Sequence, residues 1–149
     1  MCRTALFAGS FDPFTIAHFA VVKRALCLAD KIIVAVGVNF DKKTFRTLEQ
    51  RLEGIQQAFK DDNRVEAAHY EGLTTDFALQ RKIDFFIRGI RSINDFEYEK
   101  NMAYINLKLS GIETVFIFSE PEYEHISSSL VRELAYYHKD ISQLIPNYK

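Results

Sequence analysis

The residues best suited to chemistry stand in one stretch near the amino terminus, GSFDPFTIAH, from Gly9 to His18. This stretch separates a short apolar run from an amphipathic segment, which places it at a turn between a strand and a helix. Backbone N–H groups at such a turn, together with the helix N-terminus, can bind a phosphate that His18 would face. The alternative is structural: Gly9 and Pro13 make a tight turn, Thr15 caps the helix, and His18 is exposed.

Two further segments offer a cation or hydroxyl groups to a phosphate. Lys42, with Lys43 and Arg46 nearby, could hold a phosphate as a point charge, although a solvated basic loop is the simpler explanation for these residues alone. The run Ser127–Ser129 opens the last predicted helix, where serines act as caps. Their hydroxyl and N–H groups could also receive a terminal phosphate, and the two roles are compatible.

A pair of arginines forms the fourth segment that could bind a phosphate. Arg88 and Arg91 follow a short apolar strand, a poor place for ordinary surface residues, and Gly89 between them would let the backbone approach a ligand. Guanidinium groups bind phosphate oxygens in a bidentate manner. The alternative is a pair of structural salt bridges to Asp95 or Glu99 on the following helix.

An alternation of strands and helices is predicted to position these segments. Continuous apolar runs, typical of strands covered on both faces, favour a parallel sheet. The predicted strands are Thr4–Ala8, Lys31–Val38, Arg64–His69, Phe85–Ile87 and Thr114–Phe118. The predicted helices contain Phe19 to Ala29, a segment opened by the capping pair Thr47 and Gln50, Asp76 to Lys82, Phe96 to Leu109, and a last helix from Ser128.

This order predicts an α/β fold: a Rossmann-like, open five-stranded parallel sheet with helices on both faces, in a single domain over residues 1–149. Ligands of such folds bind outside the carboxyl ends of the strands, where the strand order reverses. Each of the four segments follows a predicted strand. We therefore expect all four to meet at one edge of the sheet.

Composition excludes several other classes of function. The net charge of −1 argues against a nucleic-acid partner. No apolar stretch approaches the roughly 20 residues that span a membrane, and MCRTALFAG lacks the core of a signal peptide, so we expect a cytoplasmic protein without a membrane partner. Cys2 and Cys27 have no metal-binding spacing and are expected to be reduced and at least half-buried. Neither a GxxxxGK[ST] loop nor a GxGxxG fingerprint is present.

With these segments placed, the chain closely resembles phosphopantetheine adenylyltransferase, a bacterial enzyme family of coenzyme A synthesis. The resemblance covers nearly the whole chain and rests on GSFDPFTIAH, the Lys42 loop, IRGIRSINDFEYE (Ile87 to Glu99) and HISSSLVRE (His125 to Glu133). It implies transfer of the adenylyl group of ATP to 4′-phosphopantetheine, giving dephospho-coenzyme A and pyrophosphate by direct in-line attack. It also implies Mg²⁺ as cofactor and a homohexamer.

The resemblance carries roles to individual positions of this sequence. It implies catalytic roles for His18, Lys42 and Arg91. It implies acceptor-binding roles for Ser10, Lys42, Thr74 and Arg88. The positions matched to ATP contacts are Ser10, Phe11, His18, Gly89, Ile90, Arg91, Glu99, Tyr123, Glu124, His125, Ile126, Ser127, Ser128 and Ser129. No acidic cluster in the sequence identifies ligands for the metal.

The chain departs from the family pattern Thr-x-Gly-His at Ala17, where it reads Thr-Ile-Ala-His. A methyl group there would lie close to the nucleotide, and it is harmless only if the backbone is already helical. Ser10, commonly threonine in the family, keeps the hydroxyl group, and Thr74 occupies a variable, often apolar position.

Two other functions remain open from the sequence. One is a nucleotidyltransferase with another phosphorylated acceptor, such as nicotinate mononucleotide or glycerol phosphate, against which IRGIRSINDFEYE argues. The other is a catalytically silent nucleotide-binding module, which only Ala17 favours.

Overall fold

The computed structural model describes residues 1–147, along which strands and helices alternate as the sequence predicts. The strands are β1 (Thr4–Gly9), β2 (Lys31–Val38), β3 (Val65–Glu71), β4 (Phe85–Ile90) and β5 (Glu113–Phe118). The α-helices are α1 (Ile16–Ala25), α2 (Leu48–Ala58), α3 (Thr74–Gln80), α4 (Ile93–Ser110) and α5 (Ser128–Tyr136). A single 3₁₀ turn, Pro121–Tyr123, precedes α5 within the described chain.

The sheet has the order β3-β2-β1-β4-β5, and all neighbouring strands are parallel. The chain runs outward from β1 to β3, then crosses back to place β4 on the other side of β1. The strand order therefore reverses between β1 and β4, whose carboxyl ends lie side by side. This confirms the predicted fold class and locates the crevice in which such folds bind ligands.

The core lies on both faces of the sheet because alternate side chains of β1 point to opposite sides. Ala5 and Phe7 pack with residues of α1 and α2 on one face. Leu6 and Ala8 pack with Ala78 of α3 on the other face. Burial on both sides explains why β1 and β2 read as nearly continuous apolar runs.

A third apolar cluster joins α5 to the segment of residues 141–147, here called the C-terminal segment. Ile141 and Ile145 of this segment pack with Ala17 of α1 and Val131 of α5. The backbone N–H of Ile16, the first residue of α1, donates to the carbonyl oxygen of Leu144 at 2.8 Å. The C-terminal segment thus satisfies one of the N–H groups that a helix start leaves without an intrahelical partner.

The structure corrects the end predicted for β4. Arg88 and Gly89 lie inside this strand, which continues to Ile90 instead of ending at Ile87. Arg88 pairs in register with Phe116 of β5. A charged residue can occupy this interior strand because a carboxylate on α4 neutralises it, as described below.

Two helices begin earlier than predicted. α4 starts at Ile93, not near Phe96, because the Ser92 side chain accepts the N–H of Asp95 and caps the helix. α3 starts at Thr74, and its N-cap position has no side-chain cap, so the sequence carries no local signal for this boundary.

The burial expected for the cysteines is also corrected: Cys2 and Cys27 are free thiols, as the sequence predicts, but both are exposed. Cys2 precedes β1, and Cys27 lies in the turn that follows α1, where no layer of the fold covers it. Among the described helices, none combines the length and the apolar character that crossing a membrane requires.

Candidate active site

Two cavities open at the carboxyl edge of the sheet, on either side of the turn that follows β1. The first cavity, of about 300 Å³, lies between this turn, α1 and the start of α5. The second cavity, of about 240 Å³, lies between the turn, β2, α3 and α4. The residues that line both cavities are Ala8, Gly9, Ser10, Arg88 and Glu99. Two ligands could therefore occupy opposite faces of the sheet and meet at this shared boundary.

The turn after β1, residues 9–13, is tied to neighbouring elements by hydrogen bonds. The buried carboxylate of Asp12 accepts the backbone N–H groups of Phe45 and Arg46, each at 2.8 Å. From α5, Ser128 donates to the carbonyl oxygen of Pro13 at 2.9 Å, and Arg132 donates to that of Asp12 at 2.7 Å. The turn is thus held from both the α2 side and the α5 side.

Thr15 and His18 form a capping box in which a histidine takes the usual place of glutamate or glutamine. The Thr15 hydroxyl accepts the N–H of His18, and Nδ1 of His18 accepts the N–H of Thr15 at 2.9 Å. A ring nitrogen that accepts a backbone N–H carries no proton, so the proton of the neutral imidazole resides on Nε2. Because His18 lines the first cavity, Nε2–H is the group available to a ligand.

Aromatic rings surround His18 and keep it uncharged. Its ring stacks on Phe14 at 5.4 Å between centroids and meets the edge of Phe11 at 5.1 Å. Burial, followed by the positive charges of Arg88 and Arg91, lowers the pKa of His18 from 6.5 to about 3. His18 is therefore a neutral hydrogen-bond donor at physiological pH.

Ala17 occupies a regular position in the first turn of α1, with Thr15 as N-cap, and it does not have a positive φ. Its methyl group is buried against Ile126 and Val131. In the described chain, no acceptor takes its backbone N–H, whereas the N–H groups of the residues on either side are taken. Alanine is thus compatible with the helix here, and its N–H remains available to a phosphate in the first cavity.

Both arginines form the salt bridges that were the structural alternative. Arg88 pairs with the buried carboxylate of Glu99 through Nε and Nη2, at 2.8 and 2.6 Å, and donates through Nη1 to the Ala8 carbonyl. Arg91 pairs with Asp95 at 3.2 Å. These pairs do not exclude ligand binding, because each guanidinium lines the first cavity and has further N–H groups.

The start of α5 supplies hydroxyl groups and a residue that the sequence analysis did not single out. Ser127 caps the helix by accepting the N–H of Leu130, and Ser127–Ser129 all line the first cavity. Arg132 also lines this cavity, donates to Ser129, and forms no ion pair with any described residue. It stands one helical turn after the serines, a spacing that could have identified it from the sequence.

The other predicted site residues take different places. Lys42 is exposed on the loop after β2 and lines neither cavity. Thr74 lines the second cavity, and its hydroxyl lies 2.7 Å from that of Tyr70. Ile126 lines the first cavity, but Tyr123, Glu124 and His125 do not; Glu124 and Ile90 line an adjacent, more apolar groove.

The carboxylates in the first cavity do not assemble a magnesium site. Both oxygens of Asp12 accept backbone N–H groups, both oxygens of Glu99 pair with Arg88, and Asp95 pairs with Arg91. Across residues 1–147, no group of three or more histidine, cysteine, aspartate or glutamate side chains could hold a metal ion. The donor set therefore does not fit an ion bound by the protein alone.

The fold is shared with a solved structure that has a similar arrangement of strands and helices. That structure, the bifunctional NMN adenylyltransferase/ADP ribose pyrophosphatase from Francisella tularensis complexed with AMP and a manganese ion, matches with a TM-score of 0.74 at 15% identity. The match covers 100% of this chain, which spans 46% of that one. At this level of identity, the likeness concerns the fold alone.

Sequence comparison defines the class. The model of the cytidylyltransferase-like family matches residues 6–134, a range that contains the turn, His18, both arginines and the serines of α5. Together with the fold and the two cavities, this match makes the chain a nucleotidyltransferase.

Full-length relatives narrow that class. The phosphopantetheine adenylyltransferase of Bacteroides thetaiotaomicron is 51% identical over 144 residues, covering 97% of this chain and 95% of the relative. Those of Phocaeicola vulgatus and Flavobacterium johnsoniae are 49% and 44% identical, with the same shares covered. The chain belongs to the phosphopantetheine adenylyltransferase family, which confirms the resemblance found in its motifs.

Proposed function

We propose that this chain transfers the adenylyl group of ATP to 4′-phosphopantetheine, releasing pyrophosphate and forming dephospho-coenzyme A. One observation carries the proposal: two cavities on opposite faces of the sheet share a boundary at Ser10 and Arg88. A nucleotide in the first cavity and a phosphorylated acceptor in the second would bring their reacting phosphates together there. The names of the full-length relatives support this pair of substrates.

In this mechanism, the acceptor phosphate attacks the α-phosphorus of ATP directly, and the phosphorus–oxygen bond to pyrophosphate breaks. The nucleophile is already an anion, so no general base and no covalent enzyme intermediate are needed. An imidazole with a pKa near 3 is a poor base, which agrees with this requirement. His18 instead donates Nε2–H to an oxygen of the α-phosphate, where charge develops.

The remaining cations hold the two anions in line. Arg91, Arg132 and the serines of α5 bind the β- and γ-phosphates from the first cavity. Arg88, fixed by Glu99, binds the acceptor phosphate at the shared boundary. Lys42, exposed on the loop after β2 and outside both cavities, would add its positive charge from a distance. Positioning of two reactants can remove roughly 7–11 kcal/mol of the barrier. Thr74 and Ser10 complete the acceptor site.

We further propose that Mg²⁺ reaches the site on the phosphate oxygens of ATP and keeps several waters, as this ion commonly does. This accords with cavity carboxylates that are already engaged by protein donors. When bound, the ion would neutralise charge on the triphosphate.

We propose a homohexamer as the assembly and the cytoplasm as its location. α4 supports an assembly, because it exposes large apolar side chains at Tyr104, Ile105 and Leu109 that no other described element covers. Two exposed, free cysteines suit a reducing compartment.

Pyrophosphate release from ATP, measured with a panel of acceptors, tests the proposed function. The panel contains 4′-phosphopantetheine, nicotinate mononucleotide and glycerol phosphate, and mass spectrometry identifies the product. We expect release only with 4′-phosphopantetheine, together with a product of the mass of dephospho-coenzyme A. Turnover with another acceptor would assign a different transferase, and ATP binding without any turnover would indicate a silent nucleotide-binding module.

A further inference from the structure

Arg51 of α2 is a buried cation to which the mechanism assigns no role. Its side chain is 5% exposed and forms no ion pair with a described residue. Nη1 donates to the carbonyl oxygen of Ser10 at 2.9 Å, and Nε is buried without an acceptor. Burying a guanidinium with so few partners costs free energy of folding. A role for its one hydrogen bond would explain why the chain keeps an arginine here.

The backbone of Phe11, the residue after Ser10, has a conformation that neighbouring contacts must stabilise. Phe11 has a φ of +46°, in the left-handed region that bulky residues avoid. Its ring is buried and meets the rings of Phe7 and Phe14 edge-on, at 5.2 and 5.3 Å. Such a conformation persists only where neighbouring contacts hold it.

These two observations concern the same peptide group. The plane of the peptide that joins Ser10 to Phe11 determines both the direction of the Ser10 carbonyl and the φ of Phe11. Ser10 lines both cavities, whereas Arg51 lines neither, so the bond to Arg51 keeps the carbonyl oxygen away from them. A flip of this peptide would relax Phe11 and turn the oxygen towards the place proposed for a phosphate, which it would repel.

We propose that Arg51 is a positioning residue that locks the Ser10–Phe11 peptide so that the shared boundary of the two cavities accepts anions. It does so through the hydrogen bond to the Ser10 carbonyl, and its charge adds positive potential behind the turn. The proposal rests on the proposed function only in taking the bound anions to be phosphates of ATP and of the acceptor.

Arg51→Met and Arg51→Lys test this role. Methionine fills a similar buried volume without charge or donor, and lysine keeps the charge and a donor but not the planar fork. We expect Arg51→Met to raise the dissociation constant of ATP, measured calorimetrically without acceptor, and the KM for 4′-phosphopantetheine. The fall in kcat/KM should be about 10- to 100-fold, the size expected when a reacting group is misplaced by roughly an ångström. Arg51→Lys should recover part of this loss.

Arg64→Met is the matched control, since Arg64 is exposed and pairs only with Asp62 near the start of β3. Its kinetics should match those of the wild type. An Arg51→Met protein that unfolds cooperatively and keeps the wild-type ATP affinity and KM overturns the proposal. So does a lower melting temperature with a reduced active fraction but unchanged constants, since that marks a purely structural residue. If Arg51→Met does not fold, Arg51→Leu, which also removes the charge and the donor to the Ser10 carbonyl, carries the test. Wild-type ATP affinity and KM for Arg51→Leu overturn the proposal.

A wild-type protein without transferase activity contradicts the proposed function instead. The calorimetric ATP measurement on the variants still tests Arg51 in that case, because it needs no acceptor.

Discussion

At the scale of single residues, His18 combines two tasks in one ring. Nδ1 caps α1 by accepting the N–H of Thr15, and this bond leaves the proton on the nitrogen that can reach a ligand. The helix cap therefore sets the tautomer that the proposed reaction needs. A glutamine at this position could accept the same N–H while presenting a different donor.

Replacement of His18 tests its role as a donor to the transition state. We expect His18→Ala to lower kcat by about 10²–10³-fold, the usual effect of losing one oriented donor, with a much smaller change in ATP affinity. His18→Gln keeps the cap, so its unfolding midpoint in denaturant should lie closer to that of the wild type than the midpoint of His18→Ala does. Steady-state kinetics and ATP calorimetry separate the two effects. A large loss of ATP affinity with kcat preserved would contradict the assigned role.

The low pKa of His18 predicts a dependence of stability on pH. The native pKa of about 3 lies below the ordinary 6.5, so the unfolded chain binds the proton more readily. Stability contributed by neutral His18 is then present above pH 6.5 and declines as the pH falls towards 3. From pH 7 to pH 5, the free energy of unfolding of the wild type should fall by about 2 kcal/mol more than that of His18→Gln. Urea denaturation of both proteins at the two pH values measures this difference. Equal losses in the two proteins would show that the ring is not buried as described.

Ala17→Gly tests whether the methyl group obstructs the nucleotide. The alanine is helical and buried, so glycine should lower the free energy of unfolding by about 1–2 kcal/mol through lost helix propensity and lost methyl burial. It should not raise kcat/KM for ATP, because the methyl group packs against Ile126 and Val131 and glycine keeps the backbone N–H. A clear increase in kcat/KM would mean that the methyl group does hinder binding.

At the scale of secondary-structure elements, the three serines of α5 have different tasks. Ser127 caps the helix, Ser128 ties it to the turn after β1, and Ser129 accepts from Arg132 at the surface. The N-terminus of α5 is therefore both stabilised and positioned by its own first residues.

Ser127→Ala should lower the free energy of unfolding by about 1 kcal/mol, the usual cost of a lost N-cap. Ser129→Ala is the control, since its hydroxyl is exposed and a loss within about 0.5 kcal/mol is expected there. Chemical denaturation of both variants measures the difference. Similar losses would indicate that the cap contributes little to α5.

The sequence predicts which strands and helices exist better than it predicts where each of them begins and ends. Apolar runs identified β1 and β2, and the capping pair Thr47 and Gln50 identified the start of α2, where the structure has it. The end of β4 was missed because Arg88 resembles a loop residue until Glu99, eleven positions later, neutralises it. A strand that is stabilised by a distant ion pair leaves no periodic signal in its own sequence.

At the scale of the whole molecule, the exposed apolar side of α4 predicts association. Leu109→Glu places a charge on this surface, so light scattering after gel filtration should show a smaller species than for the wild type. Leu28→Glu, in the turn after α1, is a control with another exposed leucine. A wild-type protein that is monomeric at all concentrations would contradict the proposed hexamer.

The candidate site was only partly predictable, for a reason that belongs to the whole fold. The segments after β1 and before α5 were identified because each holds several suitable residues in a row. Arg51 and Arg132 were missed because each acts on the turn from a different helix. Their importance depends on tertiary contacts across many residues, which local patterns do not record.

The bond between Ile16 and Leu144 has a consequence for synthesis of the protein. A chain growing on the ribosome carries the turn and His18 early, but the acceptor for the first N–H of α1 exists only after residue 144 has been made. Because domains tend to fold as units while they are made, the order of translation leaves the start of this helix incomplete until late. A partly made chain therefore contains His18 while the first N–H group of its helix still lacks the carbonyl oxygen of Leu144.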